Sequence, residues 1–296
     1  MKNNVCIVLF LLVGIIAKAQ ERKQLLNFEF EGFRLNGVLD LPDLPQPNGL
    51  VLIIHGSGPT NAVAQDWYGD VRGAINKAGY GTYIWDKIGC GQSEGIFDYH
   101  QSIQSSTSEV IAAIKELKKK KIPGSEHIGL WGISRAGWIA PMVIDQYGTI
   151  KFWISVSGVD DKESFAYLFE KNLEIEGIPQ DSIALLVDEL KTGYQITHSG
   201  ESYEAYQNAT PHLRKNKFLN RFNNGNVITK DGYYAYQKTF MKKPFDEETS
   251  LQVYVEDFES VLSRIECPVL ALLGNRTNTW TGRKPGLCTI KPLSKM

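Results

Sequence analysis

Apolar positions along the chain follow two periods that alternate with one another. Leu25 to Phe30 and Phe33 to Leu41 repeat every second residue, which predicts an antiparallel pair turned at Glu31-Gly32 and stopped by Pro42. Leu50 to Ile54 is apolar throughout, as expected of a strand covered on both faces. From Asp66 to Ala78 the period lengthens, with Trp67, Val71, Ala74, Ile75 and Ala78 at helical spacing. Tyr80 to Trp85 reads as the next strand. Ser106 to Lys120 carries Val110, Ile111, Ile114 and Leu117 on one helix face, with serines and a threonine available to cap its start. An apolar strand at Ile128, a helix-like stretch from Trp138 to Tyr147 and a strand from Ile150 to Val156 follow.

This order predicts an α/β fold: a mostly parallel, doubly wound sheet entered through antiparallel strands. Pro141 lies inside the helix after residue 137 and predicts a kink or a short first segment, because a mid-helix proline costs ~3 kcal/mol. Residues 158–256 break the alternation and read as several short, polar, aromatic-rich helices. A helical insertion between two strands predicts a cap over one end of the sheet. Its aromatics (Tyr203, Tyr206, Tyr233 and Phe240 among them) are expected mostly to pack helix on helix, with the lining of an acyl pocket as their other use. The core pattern resumes over 257–274, with a helix from Asp257 to Ile265 and a strand from Pro268 to Leu273. The first part of the core is residues 20–157.

Residues 1–19 stand apart from the fold. Lys2, the apolar run Val5 to Ala17 and the small-x-small string Ala17-Lys18-Ala19 predict a cleaved signal peptide, hence an exported, periplasmic or secreted protein. Cys6 sits within the apolar run rather than at its end, unlike a lipid-attachment cysteine. No other stretch is apolar for long enough to span a membrane. Removing 1–19 takes away Lys2 and Lys18 and no acid, which moves the net charge from −1 to −3. That balance argues against nucleic acid and anionic membranes as partners. The run Lys118 to Lys121 ends a predicted helix, where cations favour the dipole, and reads as a solvated end. Cys90, Cys267 and Cys288 do not make a disulfide framework.

The most pointed chemistry is Gly132-Ile133-Ser134-Arg135-Ala136-Gly137, placed between a strand and a helix. Gly-x-Ser-x-small in that context is a nucleophile elbow, a turn so tight that the residues two before and two after the serine must be small. Gly132 and Ala136 meet that demand, and Gly137 relieves the next contact. Ser134 would then stand at a strand's carboxyl end with a helix N-terminus aimed at it. His55-Gly56-Ser57-Gly58-Pro59 follows the Leu50 strand. Its backbone amides are the expected partners of an oxyanion: Ser57 or Gly58 as one donor, Arg135 as the other, each worth ~3–4 kcal/mol. His55 itself reads as a brace for the loop. In Asp86-Lys87-Ile88-Gly89-Cys90-Gly91-Gln92-Ser93 the glycines supply positive-φ positions, and Asp86 and Ser93 bond the turn. That turn reads as scaffolding, with Asp86 as catalytic acid the lesser alternative. No metal or organic cofactor is implied, and zinc spacings such as His-Glu-x-x-His are absent.

These three motifs, in this order, resemble the α/β-hydrolase superfamily, and more narrowly its exported carboxylesterases and serine-aminopeptidase-like members. The likeness covers about residues 25–160 and 257–274. Ile88 stands where the family usually has arginine, and Ala136 where it has glycine. The tail departs from the pattern. The resemblance implies an acid in a Gly-x-x-Asp turn after the strand ending at Leu273, then one more strand and a histidine. Here the turn reads Gly274-Asn275-Arg276-Thr277, and the 19 residues after it contain no His, Asp or Glu. After Ser134 the histidines are His198 and His212, both in the insertion.

A lost base accounts for this departure. Trp280-Thr281 requires TGG-ACN, which one base earlier contains GAC, an aspartate codon. With Arg276 as AGG and one A restored there, residues 274–284 can read Gly-Asn-Lys-Asp-Lys-Tyr-Val-Asp-Trp-Lys-Lys, which returns the Gly-x-x-Asp turn. Residues 275–296 are therefore expected to be an out-of-frame tail, with the sheet's last strand missing. The reading is a serine hydrolase of carboxylic esters, working through an acyl-enzyme on Ser134 and impaired as written. A small-molecule ester or a short peptide is the expected substrate. The alternatives are a serine aminopeptidase-like peptidase on the same scaffold and a non-catalytic binding protein that keeps the elbow only as a turn.

Overall fold

The computed structural model describes residues 23–98, 101–158, 164–217, 219, 229–273 and 289–292. The expected signal peptide and the tail turn at Gly274 to Thr277 lie outside the described residues. The predicted N-terminal pair divides in two. A hairpin of β2 (Phe28–Phe30) and β3 (Phe33–Leu35) forms a small sheet of its own, turned at Glu31 and Gly32. β1 (Lys23–Leu25) and β4 (Gly37–Asp40) pair instead in the main sheet. Polar groups at the bends drive the split: Asn27 accepts the Gly37 N–H through its side chain, and the Tyr83 hydroxyl donates to the Leu26 carbonyl.

The main sheet continues with β5 (Leu50–Ile54), β6 (Gly81–Trp85), β7 (Ile128–Ile133), β8 (Phe152–Val156), β11 (Val269–Leu273) and β12 (Thr289–Pro292). Its order is β1-β4-β6-β5-β7-β8-β11-β12, and β6, β5, β7, β8 and β11 run parallel. Three crossover helices cover it: α1 (Gly69–Lys77), α2 (Ile103–Lys119) and α3 (Ala136–Tyr147). Alternate residues of β5 serve the two faces. Val51 and Ile53 pack with Val71 and Ile75 of α1, whereas Leu50, Leu52 and Ile54 join Val110, Ile114 and Leu117 of α2 and Ile139 and Val143 of α3. The doubly wound expectation holds.

Three local expectations change. The helix expected from Asp66 begins at Gly69, because Asp66 and Tyr68 sit at left-handed φ of 51° and 56° and cannot continue a right-handed helix. The second helix starts at Ile103, three residues early, because the Ser102 hydroxyl accepts the Ser105 N–H as its cap. Pro141 lies within one continuous helix, α3.

Between β8 and β11 come α4 (Ser164–Ile175), α5 (Gln180–His198), α6 (Tyr203–Ala209), α7 (Lys230–Phe240), a short hairpin of β9 (Phe245–Asp246) and β10 (Leu251–Gln252), and α8 (Phe258–Ser263). The helices have cores of their own. Phe169 and Leu173 meet Ile183, Leu186 and Leu190, while Tyr203, Tyr206 and Tyr233 form a second buried cluster. Burial of these tyrosines fits their expected use in packing. The insertion's return segment touches the sheet layer where Tyr254 stacks on Trp138, ring centroids 4.1 Å apart.

The expectation that the sheet lacks its last strand is corrected. Thr289–Pro292 form β12, antiparallel to β11, with Thr289 opposite Leu273 and Pro292 opposite Leu270. The outer strand of a sheet presents a row of free N–H and C=O groups that an extended segment can pair. Thr-Ile suits a strand, and proline is tolerated at an edge.

Candidate active site

β5 is the strand at which the chain order reverses, since β6 lies on one side of it and β7 on the other. In doubly wound sheets the crevice at the carboxyl ends of such strands is where ligands bind. Register sets the height of the loops there. Ile54 lies opposite Gly132, so the loop that starts at His55 and the turn that carries Ser134 leave the sheet at the same level. A β-carbon on Gly56 would be 3.4 Å from that of Ser134. The two motifs are neighbours.

Ser134 has φ = 53°, a left-handed conformation that costs a non-glycine residue about 1–3 kcal/mol. The turn is held from both sides. The Ser134 N–H donates to the Val156 carbonyl at 3.0 Å, and its carbonyl accepts the Gly137 N–H at 2.7 Å. Space is as tight as the elbow requires: a β-carbon at Gly132 would lie 2.7 Å from that of Ala136. The Ser134 side chain is half-buried and makes no hydrogen bond among the described residues. The N–H groups of Ser57, Gly58 and Arg135 are likewise without an acceptor among the described residues.

His55 is buried, and its Nε2 meets the Trp85 carbonyl at 2.7 Å. Burial, reinforced by the nearby Lys87 charge, lowers its pKa to about 3. The ring is neutral at pH 7 and braces the end of β5, as expected from its position. Asp86 is also fully buried. Its Oδ1 accepts the Ala62 N–H at 2.5 Å, and its carbonyl accepts the Ser93 hydroxyl at 2.6 Å. These bonds make the Asp86 turn a scaffold that fastens the loop after His55.

Three charged side chains beneath the elbow carry more than their motifs suggest. The Arg135 guanidinium donates to Ser106 Oγ at 2.9 Å and to the Gln101 carbonyl, which ties the elbow to the first turn of α2. Glu109 is buried on α2 and accepts from Trp85 Nε1 at 2.6 Å and Gln101 Nε2 at 3.2 Å. Burial raises its pKa, partly opposed by those hydrogen bonds and by Lys87 and Arg135. Lys87 sends its ammonium to the carbonyls of Gly56 and Gly58 at 2.6 and 2.9 Å. The sequence signals these groups only as single charges flanked by apolar or turn residues, a pattern too common to identify them.

The two histidines after Ser134 are engaged in the insertion. His198 stacks on Phe245 at 4.4 Å, and His212 Nδ1 meets Glu189 Oε1 at 2.6 Å. Glu189 is buried and also accepts the backbone N–H groups of His212 and Leu213. Of the acids in the insertion, Glu170 and Glu174 pair with Lys171. Among the described residues no helix is long and apolar enough to cross a membrane, and no group of residues has the makings of a metal site.

Residues 45–172 match the family model described as serine aminopeptidase, S33. No curated protein matches the chain. Solved structures similar to it include Est1E from Butyrivibrio proteoclasticus with ferulic acid bound, 25% identical over 45% of this chain and 52% of that one, at a TM-score of 0.37. The Pyrococcus furiosus esterase Pf2001 is 20% identical over 46% of this chain and 51% of that one, at 0.40. A predicted CIB-like hydrolase from Thermoplasma acidophilum is 20% identical over 50% and 69%, at 0.38. The chain spans about half the length of the first two.

Proposed function

We propose that this chain, with its doubly wound sheet and its match to the serine aminopeptidase, S33, model over residues 45–172, is an α/β-hydrolase-type serine hydrolase that cleaves carboxylic esters through an acyl-enzyme on Ser134. The observation that carries this reading is the left-handed Ser134 between β7 and α3, with its side chain open and three unused amides on the two adjoining loops. In this mechanism Ser134 Oγ loses its proton to a base as it attacks the carbonyl carbon. The oxyanion that forms accepts from the Arg135 N–H and from the Ser57 or Gly58 N–H. Collapse expels the alcohol, and water then releases the acid. In the same reading residues 1–19 are a cleaved leader for export, and 158–256 cap the site.

The base is the part that the described residues before Leu273 do not offer; His100 lies outside them, and His127 precedes β7 at the end away from Ser134. His55 is buried and neutral beneath the loop, and His198 and His212 are occupied with Phe245 and Glu189. We therefore place the acid and the histidine in the frame lost at codon 276, and expect little esterase activity from the chain as written. Removing triad members costs on the order of 10⁴–10⁶ in turnover. The test is hydrolysis of a p-nitrophenyl ester by residues 20–296, by the same chain with one base restored at codon 276, and by Ser134→Ala of each. Activity that appears on restoration and disappears in Ser134→Ala supports the reading. Turnover by the chain as written, abolished by Ser134→Ala, would return His198 or His212 as the base.

The description of the matching family favours one second reading, an aminopeptidase on the same scaffold. Such an enzyme needs a group that holds a peptide's charged end, whereas Glu170 and Glu174 are spent on Lys171. Faster turnover of aminoacyl anilides than of esters by the restored chain would decide for it.

A further inference from the structure

Lys87 is an unusual residue to find beside an oxyanion loop, because its ammonium is directed at carbonyl oxygens rather than at a carboxylate. Its backbone is fixed at the end of β6: the Lys87 N–H donates to Thr60 Oγ1 at 2.9 Å, one residue after the buried Asp86. From there the side chain reaches back across the loop after β5 and binds Gly56 O at 2.6 Å and Gly58 O at 2.9 Å. The loop needs such a hold. Ser57 and Pro59 are exposed, and Gly58 sits at φ = +87° with open space around it, so the side chains of residues 57–59 do little to set its course.

In a trans peptide the C=O of one residue and the N–H of the next point in opposite directions. Binding Gly56 O therefore turns the Ser57 N–H away from the lysine. The second contact has no such consequence, because the residue after Gly58 is Pro59, which has no N–H. The Gly58 N–H belongs to the Ser57 peptide, which Lys87 does not hold. We propose that Lys87 is a positioning residue of the site: its ammonium clamps the Gly56 and Gly58 carbonyls and so presents the Ser57 N–H, rather than that of Gly58, to an oxyanion formed at Ser134. The proposal rests on reading Ser134 as the nucleophile, and it selects between the two donors that reading leaves open.

The clamp is also sensitive to pH. Desolvation, and after it the Arg135 charge, lower the Lys87 pKa to about 8 against the opposing effects of Glu109 and Cys90. His55, the other titratable group with its charge coupled to Lys87, is neutral throughout the relevant range. Loss of the proton leaves an amine that holds two carbonyls more weakly, so the loop loosens as the solution turns mildly alkaline.

Amide ¹H–¹⁵N shifts of Ser57 and Gly58, and the Lys87 Cε shift, test the clamp in the full 296-residue chain without calling on activity. The expected result is a Ser57 amide that titrates between pH 6 and 10 with the same midpoint as Lys87. It should be pH-independent in Lys87→Met, and should stay at its low-pH position in Lys87→Arg. A Ser57 amide indifferent both to pH and to Lys87→Met overturns the clamp. Fluorophosphonate labelling of Ser134 in the chain with its frame restored tests the consequence. Lys87→Met should slow labelling about 10²-fold, the scale of a donor displaced by an ångström. Lys87→Arg should recover most of the rate, with thermal unfolding alike in both. Equal labelling of wild type and Lys87→Met overturns the positioning role. Absence of labelling in the restored wild type counts against Ser134 as nucleophile, and the shift titration still decides the clamp.

Discussion

A β-carbon placed on Gly132 would come within 2.7 Å of the β-carbon of Ala136. The two residues flank Ser134 and face each other across the turn that links β7 to α3. Gly132→Ala is therefore expected to destabilise the protein by about 1–3 kcal/mol, as overpacking a tight contact does. Urea unfolding measures it. Gly132→Ala in an Ala136→Gly background should recover most of the loss, because the clashing atom is gone. Failure to recover would mean that the contact is not the cause.

Strain at Ser134 makes a second prediction, separable from chemistry. Ser134→Ala and Ser134→Gly both remove the hydroxyl, but only glycine accepts φ = 53° without cost. The glycine variant should be the more stable of the two by about 1 kcal/mol. An alanine variant as stable as the glycine variant would show that the elbow relaxes in solution.

His55 predicts how stability depends on pH. Its folded pKa is about 3 against an ordinary 6.5, so the unfolded chain binds the proton that the folded protein refuses. The stability contributed by the neutral ring is complete above pH 6.5 and falls as pH drops toward 3. The loss from this residue reaches about 2 kcal/mol by pH 5. In His55→Gln that slope should vanish, whatever the variant's stability at pH 7. An unchanged slope between pH 7 and pH 5 would assign the effect elsewhere.

Glu109 predicts the opposite sign. Burial raises its folded pKa, so ionising it costs the folded state stability as pH rises through the ordinary carboxyl range and above. Glu109→Gln keeps an acceptor for Trp85 Nε1 and removes that cost. Its stability relative to wild type should improve from pH 4 to pH 7. A relative stability that declines over this range would mean that the Lys87 and Arg135 charges outweigh desolvation.

Much of this was legible in the chain. The alternation of apolar runs with helical spacings predicted a doubly wound sheet, and the spacing of Gly132, Ser134 and Ala136 predicted a turn with room for nothing larger. Such signals are local: a strand covered on both faces must be apolar at every position, and an elbow must be small at two. Boundaries were read less well where one residue's backbone decided them, as at Tyr68, whose left-handed φ delays α1. The edge strand β12 was not foreseen, because pairing at a free sheet edge depends on which segment comes within reach and not on its own pattern.

Read alone, the sequence determined the fold class and the tight turn at Ser134 with the two loops beside it, since each follows from residue size, apolarity and glycine placement over a few neighbouring positions. Only the tertiary structure decided how they meet. The register of Ile54 against Gly132 brings the two loops to one height. Burial turns His55 into a neutral brace, and the Lys87 ammonium lands on two carbonyls about thirty residues upstream. These relations join residues far apart in the chain, through hydrogen bonds and desolvation that exist only once the sheet has brought them together.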